Sequence, residues 1–159
     1  MLTLVEKVML LRTVDFFAEA SEEVLAEAAA TLTELEVKAG ETILAKDERT
    51  SAMYLLVEGQ VGLQNGDRTS AFLGEKEVFG ELALLNPAQQ PSAVTALTDA
   101  RLLRLDQAPL FELLEDHPPL AWGIIQRLAQ RLQRAGQGRA DRARDDLLGG
   151  LKEKLVKKA

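Results

Sequence analysis

The fold is decided by the stretch Val78-Phe79-Gly80-Glu81-Leu82-Ala83-Leu84-Leu85, which is followed by Ser92-Ala93-Val94-Thr95. An apolar β-type run ends at Phe79, and Gly80 permits a tight backbone turn there. A short helical turn then begins at Glu81. Amide groups at a helix N-terminus have no partner in the helix and lie at the positive end of its dipole, so this joint predicts a phosphate-sized anion site. The structural alternative is a strand-to-helix joint in which Glu81 only caps the local backbone.

This stretch resembles the phosphate-binding segment of the cyclic nucleotide-binding domain family, which includes catabolite activator-type regulators and kinase regulatory subunits. The family pattern is Phe-Gly-Glu-Leu/Met-Ala-Leu, a short insert, and then Arg-Ser/Thr-Ala; residues 79–84 and 92–93 fit it. The resemblance implies that the amides of Leu82 and Ala83 face a phosphate, that Glu81 binds a ribose hydroxyl and that Ser92 binds a phosphate oxygen. The candidate nucleotide pocket therefore comprises Gly80, Glu81, Leu82, Ala83, Ser92 and Ala93.

Pro91 stands where the family has its phosphate-binding arginine. The arginine fork forms bidentate, charge-assisted hydrogen bonds that neither proline nor the neighbouring Gln89 and Gln90 can supply. The resemblance also places base-contacting hydroxyl groups near the end of the long C-terminal helix, where this chain has Ala135 and Gly136. We therefore expect cyclic AMP and cyclic GMP to bind weakly or not at all.

The composition excludes several classes of function. The chain has 159 residues, no cysteine and one histidine, so thiolate zinc sites, cysteine nucleophiles and histidine-rich metal centres are ruled out. A net charge of −6 argues against nucleic acid as the main partner. No nucleophile–base pair can be assembled from these residues. We therefore predict a non-enzymatic regulatory domain with no metal and no cofactor, whose candidate ligand is a cyclic nucleotide.

The order of the sequence patterns predicts a mainly β fold with flanking helices. Apolar spacing predicts a first helix within residues 2–11, and Ser21 is a predicted N-cap of a second one. Short alternating runs from residue 34 to residue 106 predict an eight-stranded antiparallel β-roll, or jelly roll, with a hairpin loop at Asn65-Gly66. Two C-terminal helices follow, separated at Pro118-Pro119. The resemblance to the cyclic nucleotide-binding family implies the same architecture.

The second of these C-terminal helices carries an apolar stripe that we expect to cover the roll and to form a homodimer. The resemblance implies that this helix both covers the bound ligand and pairs with a second subunit. The predicted interface residues are Leu120, Ile124, Leu128 and Leu132. Gly136 and Gly138 are expected to end the helix, so the predicted domains are residues 1–136 and a charged tail of residues 137–159.

The tail holds leucines at helical spacing among lysines. It is either a soluble end or an amphipathic segment that docks on a protein partner or an anionic membrane. It is too short for a winged-helix DNA-binding domain, so we expect no direct DNA binding. No apolar run is long enough to cross a bilayer, and the N-terminus lacks a signal pattern, so we expect a cytoplasmic location. The alternative function is a ligand-free module for dimerisation or partner docking.

Overall fold

A computed structural model describes the backbone of residues 1–158 and the side chains of residues 1–154. The chain divides into two compact units, one of residues 1–121 and one that begins at Trp122. The predicted boundary between a domain of residues 1–136 and a tail therefore differs from the compact units, and the tail's separate role stays a prediction. In the described part of the chain, no helix is long and apolar enough to span a membrane.

The second N-terminal helix begins directly after its predicted N-cap, Ser21, and the first overlaps the predicted residues 2–11 but ends one residue later, at Arg12. Helix α1 spans Leu4–Arg12 and helix α2 spans Glu22–Ala30, with a 3-10 turn at Asp15–Phe17 between them. Ser21 accepts a hydrogen bond from the Val24 amide at 3.2 Å, which satisfies one of the unpaired amides of the first turn. Phe16 and Phe17 lie between the two helices in sequence, and both are buried, so they anchor this part of the core.

The β-roll contains ten antiparallel strands in the described residues, two more than predicted. The strand bounds are Thr33–Val37, Thr42–Leu44, Arg49–Thr50, Ala52–Glu58, Val61–Asn65, Arg68–Leu73, Val78–Phe79, Ala88–Gln89, Ala93–Ala96 and Ala100–Asp106 for β1 to β10. Two four-stranded sheets have the orders β1-β10-β4-β7 and β2-β9-β5-β6, and β3 pairs with β8. The two additional strands, β3 and β8, have only two residues each, which is too short to produce a visible alternation in sequence.

The predicted hairpin lies one residue further along the chain. Asn65 pairs with Arg68, so the two-residue loop consists of Gly66 and Asp67 rather than Asn65-Gly66. The prediction was wrong by one position because Gly66, with φ +64°, occupies the first loop position. A two-residue hairpin can place its glycine there, where a positive φ is needed.

The interior of the roll is lined by alternate residues of the longer strands. Ala52, Tyr54 and Leu56 on β4 share one apolar cluster, and the Tyr54 ring stacks on Phe79 with centroids 5.0 Å apart. Burial raises the pKa of the Tyr54 phenol, although the Arg104 guanidinium acts in the opposite direction. Because Phe79 is the residue before Gly80, this stacking fixes the start of the candidate pocket to the core.

Three helices follow the sheets or interrupt them. Helix α3 spans Glu81–Leu85, α4 spans Gln107–Asp116 and α5 spans Pro118–Lys158. Proline fits the first turn of α5 because its missing amide has no helical partner there. The predicted helical pair and the break at Pro118-Pro119 are confirmed.

Helix α5 does not end at Gly136 and Gly138, which corrects the prediction. Both glycines lie inside the helix, and it continues to Lys158. A glycine inside a helix costs about 1 kcal/mol relative to alanine, which its neighbours with high helix propensity can offset. Ala159 and the side chain of Leu155, one of the tail leucines, lie outside the described residues.

His117 joins α2 to the junction between α4 and α5, and we expect this contact to depend on pH. Its Nε2 atom lies 2.9 Å from Glu27 Oε2. This hydrogen bond raises the pKa of His117 above 6.5, and the carboxylates of Glu23 and Asp116 act in the same direction. The stabilising contribution is therefore complete below pH 6.5 and is lost as pH rises through the higher folded-state pKa.

The test is an NMR titration of the imidazole, which gives one resonance set because the chain has one histidine. We expect a pKa above 6.5 in the wild type and a lower one in Glu27→Gln, which keeps the shape of the side chain but removes its charge. A wild-type pKa at or below 6.5 would contradict the contact.

Candidate nucleotide-binding site

The joint between β7 and α3 has the turn geometry that the sequence predicts. Gly80 has φ +81° in the left-handed region and is the N-cap residue of α3. A Cβ atom at this position would lie 2.5 Å from the carbonyl oxygen of Ala52. Glycine is therefore required here for two reasons, the sign of φ and the close approach of β4.

The first turn of α3 presents backbone amides at the end of the first sheet. The Leu84 amide donates to the Gly80 carbonyl at 3.0 Å, so the amides of Glu81, Leu82 and Ala83 precede the first bond of this turn. Leu84 is fully buried and anchors the helix, whereas Leu82 is 60% exposed. Residues two positions apart in a helix are rotated by about 200°, so Leu82 and Leu84 lie on opposite sides of α3.

The remaining two candidate residues belong to the second sheet. Ala93 is the first residue of β9, and Ser92 comes directly before it. The Ser92 hydroxyl donates a hydrogen bond to Asn65 Oδ1 at 2.9 Å. The six predicted pocket residues are thus divided between the end of β7 and the start of β9.

Asn65 was missed as a site residue because the sequence assigns it only to a hairpin. Its side chain accepts a hydrogen bond from the Ser92 hydroxyl, although the two residues are 27 positions apart in the chain. The Ser92 hydroxyl can donate to a phosphate oxygen only after this hydrogen bond to Asn65 has broken. No spacing rule in the sequence could reveal this pairing.

Pro91 lies at an exposed position just after a well-fixed segment. The Gln90 amide donates to Glu48 at 2.8 Å, and the Gln90 carbonyl accepts from Asp47 at 2.8 Å. The backbone on one side of Pro91 is therefore held by the loop between β2 and β3, and on the other side it continues into β9. Position 91 itself faces solvent, so a longer side chain can be accommodated there.

A basic residue lies opposite this segment in the short two-stranded sheet. Arg49 on β3 is the register partner of Gln89 on β8, two residues before Pro91. The sequence did not indicate this neighbour because the two strands are too short to be recognised. A second basic residue, Arg104, is engaged with Asp106, whose Oδ1 lies 3.2 Å from Arg104 Nε.

The predicted dimer residues differ widely in exposure. Leu120 is 7% exposed and Ile124 is 3% exposed, so each has little surface left for a second copy. Leu132 is 75% exposed and the nearby Ile125 is 54% exposed. Leu128 is intermediate. In the part of α5 before Gly136, the uncovered apolar surface therefore comprises Ile125, Leu128 and Leu132, with Trp122, which is 62% exposed, one turn earlier.

The fold and the β7–α3 joint match a known family. The model of the cyclic nucleotide-binding domain family matches residues 34–117, which is more than half of the chain. The chain belongs to the cyclic nucleotide-binding domain family. The match covers β1 to α4 almost completely and includes all six residues of the candidate pocket.

The relatives of this cyclic nucleotide-binding domain include bacterial regulators. The chain is 26% identical to a CRP-like cAMP-activated global transcriptional regulator of Mycobacterium tuberculosis, over 76% of this chain and 56% of the relative. It is 32% identical to the Cyclic AMP receptor protein of Thermus thermophilus, over 60% of this chain and 47% of that protein. The chain thus spans about half the length of these curated relatives.

A solved structure shows the same fold. The N-terminal domain of a transcriptional regulator from Streptomyces coelicolor A3(2) superposes with a TM-score of 0.75 at 29% identity. The superposition covers 81% of this chain and 94% of that domain. The predicted β-roll with N-terminal helices and C-terminal helices is therefore confirmed.

Proposed function

We propose that this chain is a non-enzymatic regulatory domain whose cyclic nucleotide site is weakened. The observation that carries the proposal is Pro91, exposed beside Ser92 where a phosphate-binding arginine is expected. Proline has no side-chain donor and no charge. A cyclic phosphate therefore has only the neutral donors of neighbouring residues, such as the Ser92 hydroxyl, to bind its negative charge here.

The proposed pocket uses backbone amides in place of side-chain charge. The amides of Leu82 and Ala83 bind the phosphate, and Glu81 accepts a hydrogen bond from the ribose. Ser92 donates to a phosphate oxygen only after its hydrogen bond to Asn65 breaks. Losing that bond reduces the net binding free energy that the new contact contributes. These roles assign Gly80 and Ala93 to backbone positioning, since neither has a polar side chain.

The names of the relatives support a cyclic nucleotide as the ligand class. One relative is cAMP-activated, and another is a Cyclic AMP receptor protein. No group of three or more His, Cys, Asp or Glu residues in the described part of the chain could hold a metal. As a separate part of the proposal, we propose regulation without catalysis, in the cytoplasm and without direct binding to DNA or membrane.

The proposal predicts weak binding by the unaltered chain. Loss of one charge-assisted contact costs about 1.5–3 kcal/mol, or roughly one to two decades of affinity. We expect dissociation constants above about 100 µM for cyclic AMP and cyclic GMP, a level of affinity that corresponds to a weak complex. Isothermal titration calorimetry measures these values, and micromolar binding by the wild type would contradict the proposal.

The second candidate function is a ligand-free module for self-association or partner docking. It is favoured by the exposed apolar surface of α5 at Ile125, Leu128 and Leu132. Burying this surface against a second copy gains about 25 cal/mol per Å² of apolar area. A two-fold homodimer lets identical helices cover each other without an additional protein.

We expect Leu128→Asp to dissociate this dimer, because it introduces a charge into the apolar surface. Sedimentation at tens of micromolar, on the order of the concentrations at which modest complexes form, measures the change. Phe72→Asp is a matched control because Phe72 is 63% exposed on β6, in the β-roll. A monomeric wild type, or equal dissociation by both variants, would remove α5 from the interface.

A further inference from the structure

An apolar groove between α1 and α2 has no assigned role. Leu4, Val5, Val8 and Met9 line one side of it and Ala26 lies on the other, around a volume of about 480 Å³. Val5 is 68% exposed and Met9 is 65% exposed. A row of large apolar side chains on one helix face, left uncovered, is typical of a docking surface.

The segment that forms this groove carries more acidic than basic side chains, and the groove lining itself holds one of each, Glu22 and Arg12. Residues 1–30 contain six acidic and two basic side chains. Glu22 and Glu23 are exposed on the α2 side, and Glu22 lies 3.8 Å from Arg12 across the groove edge. A segment that fits this groove must therefore present apolar side chains bordered by positive charge.

The C-terminal part of α5 has these properties. Leu147, Leu148 and Leu151 are 66%, 50% and 48% exposed. At 3.6 residues per turn they lie within an arc of about 100°, with Lys152 and Lys154 at its two edges. Residues 147–158 contain four lysines and one glutamate.

We propose that residues 147–154 of one copy dock in the α1–α2 groove of a second copy. The leucines fill the apolar groove, and the bordering lysines meet the acidic side of α2. Mutual exchange of the two tails closes the assembly with two-fold symmetry and leaves no open end. This interface is separate from the α5 surface at Leu128, so either can exist without the other.

The absence of cysteine from the chain makes a clean cross-linking test feasible. Met9→Cys and Leu148→Cys are made in separate copies, mixed and treated with a short bis-maleimide. We expect a Met9→Cys to Leu148→Cys heterodimer in at least about fivefold greater yield than the control pair of Phe72→Cys with Leu148→Cys. The yield should fall as salt rises, because salt screens exposed charges beyond about 10 Å at 0.1 M.

Further measurements test whether the tail of a second copy occupies the α1–α2 groove. A Leu147→Asp and Leu151→Asp double substitution in the Leu148→Cys copy should reduce the cross-link to the control yield. Equal yields in both pairs would overturn the proposal. So would a Met9→Cys and Leu148→Cys double variant that cross-links only within one chain. Tail-dependent binding to vesicles of anionic phospholipid without a heterodimer would assign the tail to a membrane surface and also overturn it.

Discussion

Gly80→Ala is expected to lower the stability of the β-roll by about 2–5 kcal/mol, since two separate costs add. Alanine at φ +81° enters the left-handed region, which costs about 1–2 kcal/mol for an L-residue. Its Cβ atom would also lie 2.5 Å from the Ala52 carbonyl oxygen, so β4 or the joint must move. Urea unfolding followed by circular dichroism measures the change.

Gly66→Ala is the matched control for backbone strain alone. Gly66 also has positive φ, at +64°, but no heavy atom lies within 4 Å of the place that an alanine methyl group would take on the hairpin. We expect a loss of about 1 kcal/mol there, because strain is partly offset by the smaller entropy of the unfolded alanine chain. Equal losses in the two variants would show that β4 does not press on Gly80.

Pro91→Arg is expected to strengthen binding of cyclic AMP by about tenfold to a hundredfold, the range that corresponds to one charge-assisted contact. Position 91 is exposed and follows a segment held by Glu48 and Asp47, so the substitution has room and a fixed backbone nearby. The guanidinium supplies the donors and charge that proline lacks. Calorimetric titration measures the gain.

Pro91→Gln separates charge from backbone freedom. It restores an amide and a flexible side chain at position 91 but adds no charge. We expect it to bind cyclic AMP no better than the wild type. A similar gain in Pro91→Gln and Pro91→Arg would assign the weakness to the rigid proline and not to the missing charge.

Most of the fold can be predicted from the sequence, because its caps, turns and strands depend on residues that are close together in the chain. Ser21, the dense apolar run of β4 and the residues 78–85 each act through neighbours a few positions away, and the structure has them as expected. The pairing of β3 with β8 was not predictable, because two residues cannot show a period. The predicted hairpin loop was one residue too early in the chain, because both Asn65 and Gly66 favour turns.

The candidate site is less predictable because it depends on contacts between distant positions. The sequence indicates the Gly80 joint but not that Asn65 occupies the Ser92 hydroxyl. It indicates an apolar stripe on α5 but not that Leu120 and Ile124 are already buried. The glycines at 136 and 138 suggested a helix end, whereas the continuous backbone hydrogen bonding of α5 outweighs their low propensity.

The most direct test of the weakened site is a paired calorimetric titration of the wild type and Pro91→Arg with cyclic AMP. We expect the wild type to bind with a dissociation constant above about 100 µM and Pro91→Arg to bind at least about tenfold more tightly, as one added charge-assisted contact predicts. Micromolar binding by the wild type, or no gain in a folded Pro91→Arg variant, would contradict the account.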